Sequence, residues 1–470
     1  MARYQCPMCG YIYDEEVEGK PFDPANYSCV MCGHPGSDFI KLEDEAPADQ
    51  ASEATSDEPV GDPSIAYPAD TKRSDPSIPH MDQIHEMALT GNPLSGAMAT
   101  RLPLPSWDDI LILGAQLDPM PLADDAVVDT SVVIGPEARR PMVLDTPLLV
   151  SHMSFGALSR ETKLALARGA AMAHAGTCSG EGGVLPEELA AAHRYVFEYV
   201  PNRYSDTDEN LQAADAIEIK FGQGTKPGMG GHLPGDKCTA DIAAFRGVEP
   251  GTSVQSPSRF PGIETRNDLR ELVSELRHRS GGAPVGIKLA AGHIERDLDF
   301  ALEADPDFVT FDGRGGATGS SPVMLRDASS VPTIYALSRA RHFLDAHAPQ
   351  VGLIITGGLR VPSDFVKALA LGADAVAIAS AALMAAGCQQ YRICGSGKCP
   401  VGIATQDEAL RRRLDIDAAA MRVGNFLKAC TADLATFGRV TGHERLADLS
   451  IDDLVTCNAD LAERCSIARA

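Results

Sequence analysis

The sequence predicts a parallel α/β fold, a closed (β/α)8 barrel, with a small metal-binding module before it. Two observations predict the barrel. Short, nearly continuous apolar runs typical of buried parallel strands recur between residues 147 and 380, and helical patterns follow several of them. Nearly every run leads into a loop rich in glycine or other small residues. Their number and regularity favour a closed barrel over an open sheet, and the loops after its strands are expected to hold the active site.

Six apolar runs are candidate barrel strands, at residues 147–153, 216–222, 284–290, 307–313, 351–358 and 373–380. Helical segments "RETKLALARGAAMAH" and "PSDFVKALALG" follow the first and the fifth of them. We place the barrel at residues 141–405, after a pre-barrel segment at 81–140 and before a C-terminal helical cap at 406–470. In the cap, "MRVGNFLKACTADLATFG" is expected to form an amphipathic helix.

Composition narrows the class of protein. The chain has 470 residues, 44% of them hydrophobic, and a formal net charge of −24, which argues against nonspecific binding to nucleic acid or to anionic membranes. No apolar run reaches membrane-spanning length and no signal-type leader is present, so we expect a cytoplasmic protein. There, the twelve cysteines are expected to be metal ligands or free thiols.

An acidic stretch separates the N-terminal module from the rest of the chain. Residues 43–62 hold eight acidic residues and no basic one. Low hydrophobicity and self-repelling charge predict a disordered linker, which we place at residues 43–80. The module itself therefore occupies residues 1–42.

The module carries two CxxC knuckles, formed by Cys6 with Cys9 and by Cys29 with Cys32. Four thiolates suit zinc or a single iron. With its "CPMCGYIYD" opening and "CVMCGHPGSDF" close, the segment resembles rubredoxin, although the loop between the knuckles is short and Tyr27 replaces the usual tryptophan. The resemblance implies mononuclear iron and electron transfer; a structural zinc ribbon is the alternative.

A second cysteine motif lies near the end of the barrel. "CQQYRICGSGKCP" places Cys388, Cys394 and Cys399 in a C-x5-C-x4-C run. Tetrahedral zinc and an ordinary [4Fe–4S] cubane each take four ligands. Three thiolates are the number expected for a cubane with one empty corner.

The late barrel loops indicate a phosphate site. Gly357 and Gly358 follow one strand, and Ser380 follows the next, an order that resembles the phosphate-binding end of FMN barrels. Lys288, at the end of a strand, would stabilise negative charge on a reduced flavin, or it is an ordinary ion-paired lysine. No strict G-x-G-x-x-G occurs among the forty-three glycines, so we expect electrons to arrive from a protein donor.

Five motifs occur in order: "SHMSFGALSRETKLALARG", "SGEGGVLPEE", "IKFGQGTKPGMGGHLPGDK", "DGRGGATGSSP" and the cysteine run. Together they resemble the FMN-binding synthase domain of glutamate synthase in its archaeal-type and stand-alone forms, from about residue 102 to about 450. The resemblance implies FMN and a [3Fe–4S] cluster on the three cysteines. It also implies an oxidoreductase of the CH–NH2 class that aminates 2-oxoglutarate, through 2-iminoglutarate, to glutamate.

Matching positions imply the site residues. FMN would be surrounded by Ser154, Lys288, Gly313, Gly316, Thr318, Gly357, Gly358 and Ser380, and the substrate by Glu181, Lys220, Gln223, Lys226, His232 and Arg246. The cations suit a dianionic keto acid, and Glu181 is a candidate for moving the ammonia or imine proton, with Lys288 as the second catalytic residue. His232 stands where the long-form enzymes carry glutamine, which leaves the exact substrate open.

The implied partners are the substrates and other protein subunits. No glutaminase domain is apparent, so ammonia is expected to be free or to come from a glutaminase subunit. Electrons would come from a ferredoxin-like or NAD(P)H-reductase protein. The resemblance is also compatible with a homo-oligomer. Two alternatives stay open: a related flavin enzyme for another keto acid or amine, such as an N-methylglutamate synthase-like enzyme, or a non-catalytic electron-transfer subunit. The other cysteines are expected to be inert thiols: Cys178, Cys238, Cys430, Cys457 and Cys465.

Overall fold

The chain divides into two compact units, Met1–Pro79 and His80–Ala470. The computed structural model describes residues 2–7, 11–30, 34–42, 73–75, 77–319 and 321–470. The linker prediction falls almost entirely outside these residues. Within them, no helix combines the length and apolar character needed to cross a membrane.

The first unit is a three-stranded antiparallel sheet built on the central strand Arg3–Gln5, with Ile12–Asp14 on one side and Ile40–Leu42 on the other. One turn of helix, Glu15–Glu18, and a 3-10 turn, Gly36–Asp38, connect its loops. Aromatic rings supply its core, with centroids 4.4–5.5 Å apart: Tyr4, Tyr13, Phe22, Tyr27 and Phe39.

The second unit contains a closed barrel of eight parallel strands, which confirms the predicted fold class. In chain order the strands are Leu148–Val150, Gly176–Cys178, Arg194–Tyr199, Ala216–Lys220, Val285–Ala290, Phe308–Asp312, Gly352–Thr356 and Ala375–Ile378. The eighth strand pairs with the first to close the barrel. The strands are buried on both faces, as expected where helices cover the outside.

The helices that follow the strands are Arg160–Met172, Pro186–Ala191, Asp208–Ala213, Arg266–Arg279, Ile294–Leu302, Thr333–His347, Pro362–Ala370 and Ser380–Ala386. Local sequence explains where they begin. Ser159 caps the first by accepting a hydrogen bond from the amide of Thr162, and Thr265 forms a capping box with Asp268 at the fourth.

Insertions above the barrel and segments around it complete the unit. Two loops carry extra elements: His232–Leu233, Gly235–Lys237, Ala240–Arg246 and Val254–Gln255 after the fourth strand, and Ser321–Pro322 and Val323–Ala328 after the sixth. Before the barrel lie Met81–Thr90, Ser95–Gly96, Trp107–Asp109, Ile110–Ile112, Val132–Ile134 and Met142–Leu144. After it lie Cys394–Ser396, Glu408–Arg411, Ile416–Thr441, Leu446–Asp448, Ile451–Asp453, Leu454–Thr456, Ala459–Cys465 and Ala468–Arg469.

The long helix Ile416–Thr441 packs against the first barrel helix, Arg160–Met172. The contact is close because a Cβ atom at Gly169 would lie only 2.6 Å from the Cβ atom of Val423. The C-terminal region is not only helical, since Leu454–Thr456 pairs antiparallel with the pre-barrel strand Ile110–Ile112.

Candidate functional site

A cavity opens at the carboxyl ends of the barrel strands and gathers most of the predicted site residues. Those that line it are Ser154, Glu181, Gln223, Lys226, His232, Arg246, Lys288, Gly316, Thr318, Gly357, Gly358 and Ser380, with the three cysteines Cys388, Cys394 and Cys399. Two predicted residues do not line it. Lys220 ion-pairs with Glu181 from the strand behind it, and Gly313 packs beneath Gly357.

The glycines form a tight backbone cradle. Gly357 and Gly358 have φ values of 117° and 95°, which favour glycine. A Cβ atom at Gly357 would lie 2.8 Å from the amide nitrogen of Gly313, and one at Gly358 would lie 3.0 Å from Cα of Gly315. The loops after the sixth and seventh strands therefore pack backbone against backbone. Such a cradle lets a ligand approach main-chain amides closely.

Lys288 is held inside the barrel by a carboxylate. Its Nζ lies 3.1 Å from Glu198 Oε1, and both side chains are at most 2% exposed. Burial disfavours the Glu198 carboxylate, but the charges of Lys288 and Lys220 outweigh it and lower its pKa to about 2. The pair is therefore ionised and fixes a lysine cation at the cavity wall.

His152 forms a second buried pair in the cavity wall. Its Nε2 lies 2.5 Å from Glu218 Oε2, and Thr310 donates a hydrogen bond to the other oxygen of Glu218. Burial opposes protonation of His152, but Cys178 and Glu218 raise its pKa to about 10. His152 Nδ1 is buried and has no hydrogen-bond partner among the described residues. A buried ring N–H of this kind suits a polar ligand atom in the cavity.

Glu181 lies in the cavity wall and pairs with Lys220 of the fourth barrel strand. Lys220 Nζ lies 2.5 Å from Glu181 Oε2, and Ser256 donates a hydrogen bond to Oε1. Burial alone would raise the pKa of Glu181, but the charge of Lys220 and these hydrogen bonds lower it. Glu181 is therefore an ionised carboxylate, and its charge is balanced by Lys220.

Three further cations in the cavity wall are buried: Lys226, Lys237 and Arg246, at 1%, 4% and 9% exposure. No carboxylate in the described part of the chain lies within 4.0 Å of them. Burial, and then the charge of Lys220, lower the pKa of Lys226 to about 8. Buried cations without carboxylate partners indicate a site for anionic ligands.

The three cysteines of the C-x5-C-x4-C run all line this cavity. The amide and side-chain nitrogens of Gln390 each donate to Cys388 Sγ over 3.4 Å. Lys237 Nζ donates to the carbonyl of Cys394 over 3.2 Å and to that of Ala157 over 3.0 Å. This buried ammonium beside three thiols fits an anionic group held by thiolates, because such a group supplies its counter-charge.

His232 lies at the exposed rim of the cavity, in the short strand His232–Leu233. Its Nε2 lies 2.9 Å from the hydroxyl of Ser253. Burial, and then the charge of Lys226, lower the pKa of His232. His232 is therefore a neutral polar group next to the unpaired cation Lys226.

In the N-terminal unit, Cys6 and Cys29 are buried, at 1% and 3% exposure. The amide of Cys6 donates to the carbonyl of Tyr11, and the amide of Cys29 donates to that of His34, over 2.8 Å in each case. The two loops therefore share one backbone pattern. Cys9 and Cys32 lie outside the described residues, so the rubredoxin-like metal site stays a prediction.

Comparison with known proteins decides the family of the second unit. The model of the conserved region in glutamate synthase matches residues 108–444. The chain belongs to the glutamate synthase family. It is 35% identical to the "glutamate synthase large subunit-like protein" of Rhizobium meliloti, over 83% of this chain and 92% of that protein.

Other relatives in the glutamate synthase family are archaeal and bacterial. The chain is 39% identical to the "archaeal glutamate synthase [NADPH]" of Methanocaldococcus jannaschii, over 62% of this chain and 58% of that protein. It is 34% identical to the "archaeal-type glutamate synthase [NADPH]" of Thermotoga maritima, over 74% of each chain. The predicted resemblance to the synthase domain is thus confirmed.

Among solved structures, a chimera of (S)-mandelate dehydrogenase aligns with a TM-score of 0.51 and 17% identity, covering 74% of this chain and 88% of that one. This likeness concerns the fold.

Sequence reasoning missed several charged residues of the site, among them His152, Glu198, Glu218 and Lys237. Lys237 and His152 lie within motifs that were recognised, "LPGDK" and "SHMSFG", but neither was assigned a role. Glu198 lies in "RYVFEYV", whose apolar run is itself a barrel strand. A polar residue inside an otherwise apolar strand was the available signal.

Proposed function

We propose that the chain is an FMN- and iron–sulfur-dependent glutamate synthase that aminates 2-oxoglutarate, through 2-iminoglutarate, to glutamate. Family membership and the names of the archaeal and Thermotoga relatives support the reaction. One observation supports the substrate class: Lys226 and Arg246 are buried cations with no carboxylate partner among the described residues, and they line the same cavity as the three cysteines. A dianionic keto acid supplies two carboxylates for them.

FMN would lie on the glycine cradle of Gly357 and Gly358, near Ser380, Ser154, Gly316 and Thr318, with Lys288 beside it. The orphaned, buried Nδ1 of His152 in the cavity wall supports a polar ligand there. When bound, FMN supplies the hydride that reduces the imine carbon. Lys288, fixed by Glu198, supplies a positive charge that favours electron-rich groups in the cavity.

The chain's own residues bind the substrate and move protons. Lys226 and Arg246 bind its carboxylates, and Gln223 lines the same cavity. The nucleophile is neutral ammonia, and its adduct with the keto carbon forms the imine by losing water. Glu181, ionised beside Lys220, is placed to carry the proton that leaves the nitrogen of this adduct and departs with the hydroxyl group as water.

Electrons would reach the cavity through iron. Cys388, Cys394 and Cys399 would hold a [3Fe–4S] cluster, and Cys6, Cys9, Cys29 and Cys32 would hold a mononuclear iron. Both groups would supply one-electron redox chemistry. Because the sequence has no strict G-x-G-x-x-G, the donor would be a ferredoxin-like or NAD(P)H-reductase protein. Ammonia would be free or come from a glutaminase subunit, and the reaction belongs in the cytoplasm.

The substrate assignment is tested by anaerobic turnover of 2-oxoglutarate and ammonia with a small artificial reductant, measured as glutamate formed. Arg246→Met should lower kcat/KM at least about tenfold, because a charge-assisted hydrogen bond contributes about 1.5–3 kcal/mol. Arg246→Lys keeps the charge and should lose less. A flavin-loaded protein that turns over no keto acid with any amine would favour the non-catalytic electron-transfer subunit.

The second candidate is a related enzyme for another keto acid or amine, such as an N-methylglutamate synthase-like enzyme. His232 supports this second candidate, because it is a neutral side chain at the cavity rim beside Lys226. A screen of keto acids against ammonia and methylamine separates the two. Higher kcat/KM with methylamine, reversed by His232→Gln, would replace the first proposal with the second.

A further inference from the structure

Three metal-ligating side chains converge at the end of the barrel opposite the cavity. Asp145 lies just before the first barrel strand, Leu148–Val150, and His174 just before the second, Gly176–Cys178. His193 immediately precedes the third strand, Arg194–Tyr199. The three strands are neighbours in the barrel and parallel, so residues at their amino ends meet at one place.

The geometry of this triad, Asp145, His174 and His193, suits a single ion. One ligand atom from each residue lies within 4.8 Å of the others. His174 Nδ1 lies 2.5 Å from Asp145 Oδ2, and the rings of His174 and His193 stack with their centroids 4.8 Å apart. Zinc-type ions sit about 2.0–2.2 Å from imidazole nitrogen and carboxylate oxygen, so small side-chain rotations would bring all three into one coordination sphere.

One further observation points to a ligand. His193 Nε2 is buried and has no hydrogen-bond partner among the described residues. An ion pair between Asp145 and His174 alone would not explain it. The φ of 53° at His174 has a local cause, because this residue lies at the C-terminal end of the helix Arg160–Met172 and its amide donates to the carbonyl of Ala171.

We propose that Asp145, His174 and His193 bind a divalent transition-metal ion of the zinc class, with water completing its coordination. Two imidazoles and one carboxylate are ligands that such ions prefer over Mg²⁺ or Ca²⁺. The ion would join the amino ends of three successive barrel strands and so act as a structural clamp. It lies outside the cavity at the carboxyl ends and has no part in the proposed amination.

The test titrates Ni²⁺ into the full chain by anaerobic calorimetry, with the iron sites loaded beforehand so that their seven cysteines are occupied. The wild type should bind one more equivalent of Ni²⁺ than His193→Gln or Asp145→Asn, or should bind that equivalent at least about tenfold more tightly. Ni²⁺ should also raise the melting temperature of the wild type more than that of either variant.

The matched control is His347→Gln, which removes an exposed histidine on the helix Thr333–His347, outside the triad. It should bind Ni²⁺ like the wild type. Circular dichroism of each variant shows whether it is folded, and either of the two triad variants is enough for the comparison. Equal stoichiometry and affinity in the wild type and a folded triad variant would overturn the proposal.

Discussion

Lys226 is 1% exposed and has no carboxylate neighbour within the described chain, so its protonation state should control binding of the keto acid. Its pKa of about 8 lies below the ordinary lysine value because of burial and Lys220. The cationic form therefore dominates below pH 8 and is lost above it. We expect KM for 2-oxoglutarate to rise between pH 7 and pH 9, measured by initial rates with an artificial reductant.

Two variants at the same position test the cause. Lys226→Arg should flatten the rise in KM, because arginine stays charged at pH 9. Lys226→Met should show a high KM at both pH values. A wild-type KM that stays constant over this range would show that Lys226 does not bind the substrate.

His152 should make the stability of the second unit depend on pH. Its folded-state pKa of about 10 lies above the ordinary 6.5, so its pairing with Glu218 stabilises the fold fully below pH 6.5. That stabilisation is lost as pH rises through 10. The difference in unfolding free energy between the wild type and His152→Gln should therefore shrink from pH 6 to pH 10. Denaturant titration at each pH measures this difference. His278→Gln, at an exposed position, is the control and should show no such trend.

Motifs in the sequence predicted many of the residues that line the cavity but not its buried ion pairs. Gly357, Gly358 and Lys226 belong to contiguous motifs with a recognisable chemistry. The partners Lys288 and Glu198 are 90 residues apart in the chain and meet only because the barrel closes. Sequence spacing carries no signal for such a pair, so it could be found only from the fold.

Among the elements, strand periodicity predicted six barrel strands and missed two, Gly176–Cys178 and Arg194–Tyr199. The first is three residues long, too short to show a period. The second carries Arg194 and Glu198, which interrupt its apolar pattern although Glu198 points to a partner inside the barrel. The C-terminal strand Leu454–Thr456 was also unforeseen, because its partner lies far away at Ile110–Ile112.

The contact between the helices Arg160–Met172 and Ile416–Thr441 depends on a glycine. A Cβ atom at Gly169 would lie 2.6 Å from Val423 Cβ and 2.7 Å from the carbonyl oxygen of Ala420. Gly169→Ala should lower the unfolding free energy by about 1–2 kcal/mol, because overpacking outweighs the helix propensity gained. Chemical denaturation measures it. In the control Gly114→Ala, the nearest atom to the added Cβ is 3.8 Å away, and stability should hardly change.

The two units of the chain should make separable contributions to activity. Residues His80–Ala470 form a compact unit by themselves. Deleting residues 1–79 should leave a folded, FMN-loaded protein that turns over with a small artificial reductant but loses most of its rate with a protein donor. Full activity of the truncated protein with its natural donor would contradict electron transfer through the N-terminal iron site and make the N-terminal unit a regulator or a structural appendage.

The two proposed iron centres should respond independently to loss of their ligands. Cys394→Ser should remove the cluster signal from the electron paramagnetic resonance spectrum and spare the ferric-thiolate absorption of the N-terminal site. Cys6→Ser should do the reverse. Iron analysis of the wild type should give about four iron atoms per chain, the sum of a [3Fe–4S] cluster and a mononuclear site. Simultaneous loss of both signals in either variant would show that the ligands are misassigned.

The pairing of Ile110–Ile112 with Leu454–Thr456 has a consequence for synthesis on the ribosome. Thr456 and Asn458 donate hydrogen bonds to Asp109, across 347 and 349 residues of chain. The earlier strand therefore emerges long before its partner exists, and its edge stays open while the barrel is translated. Nascent chains stalled before residue 454 should expose that edge and be captured by chaperones or proteases, so that only translation to the last strands gives a chain that escapes quality control.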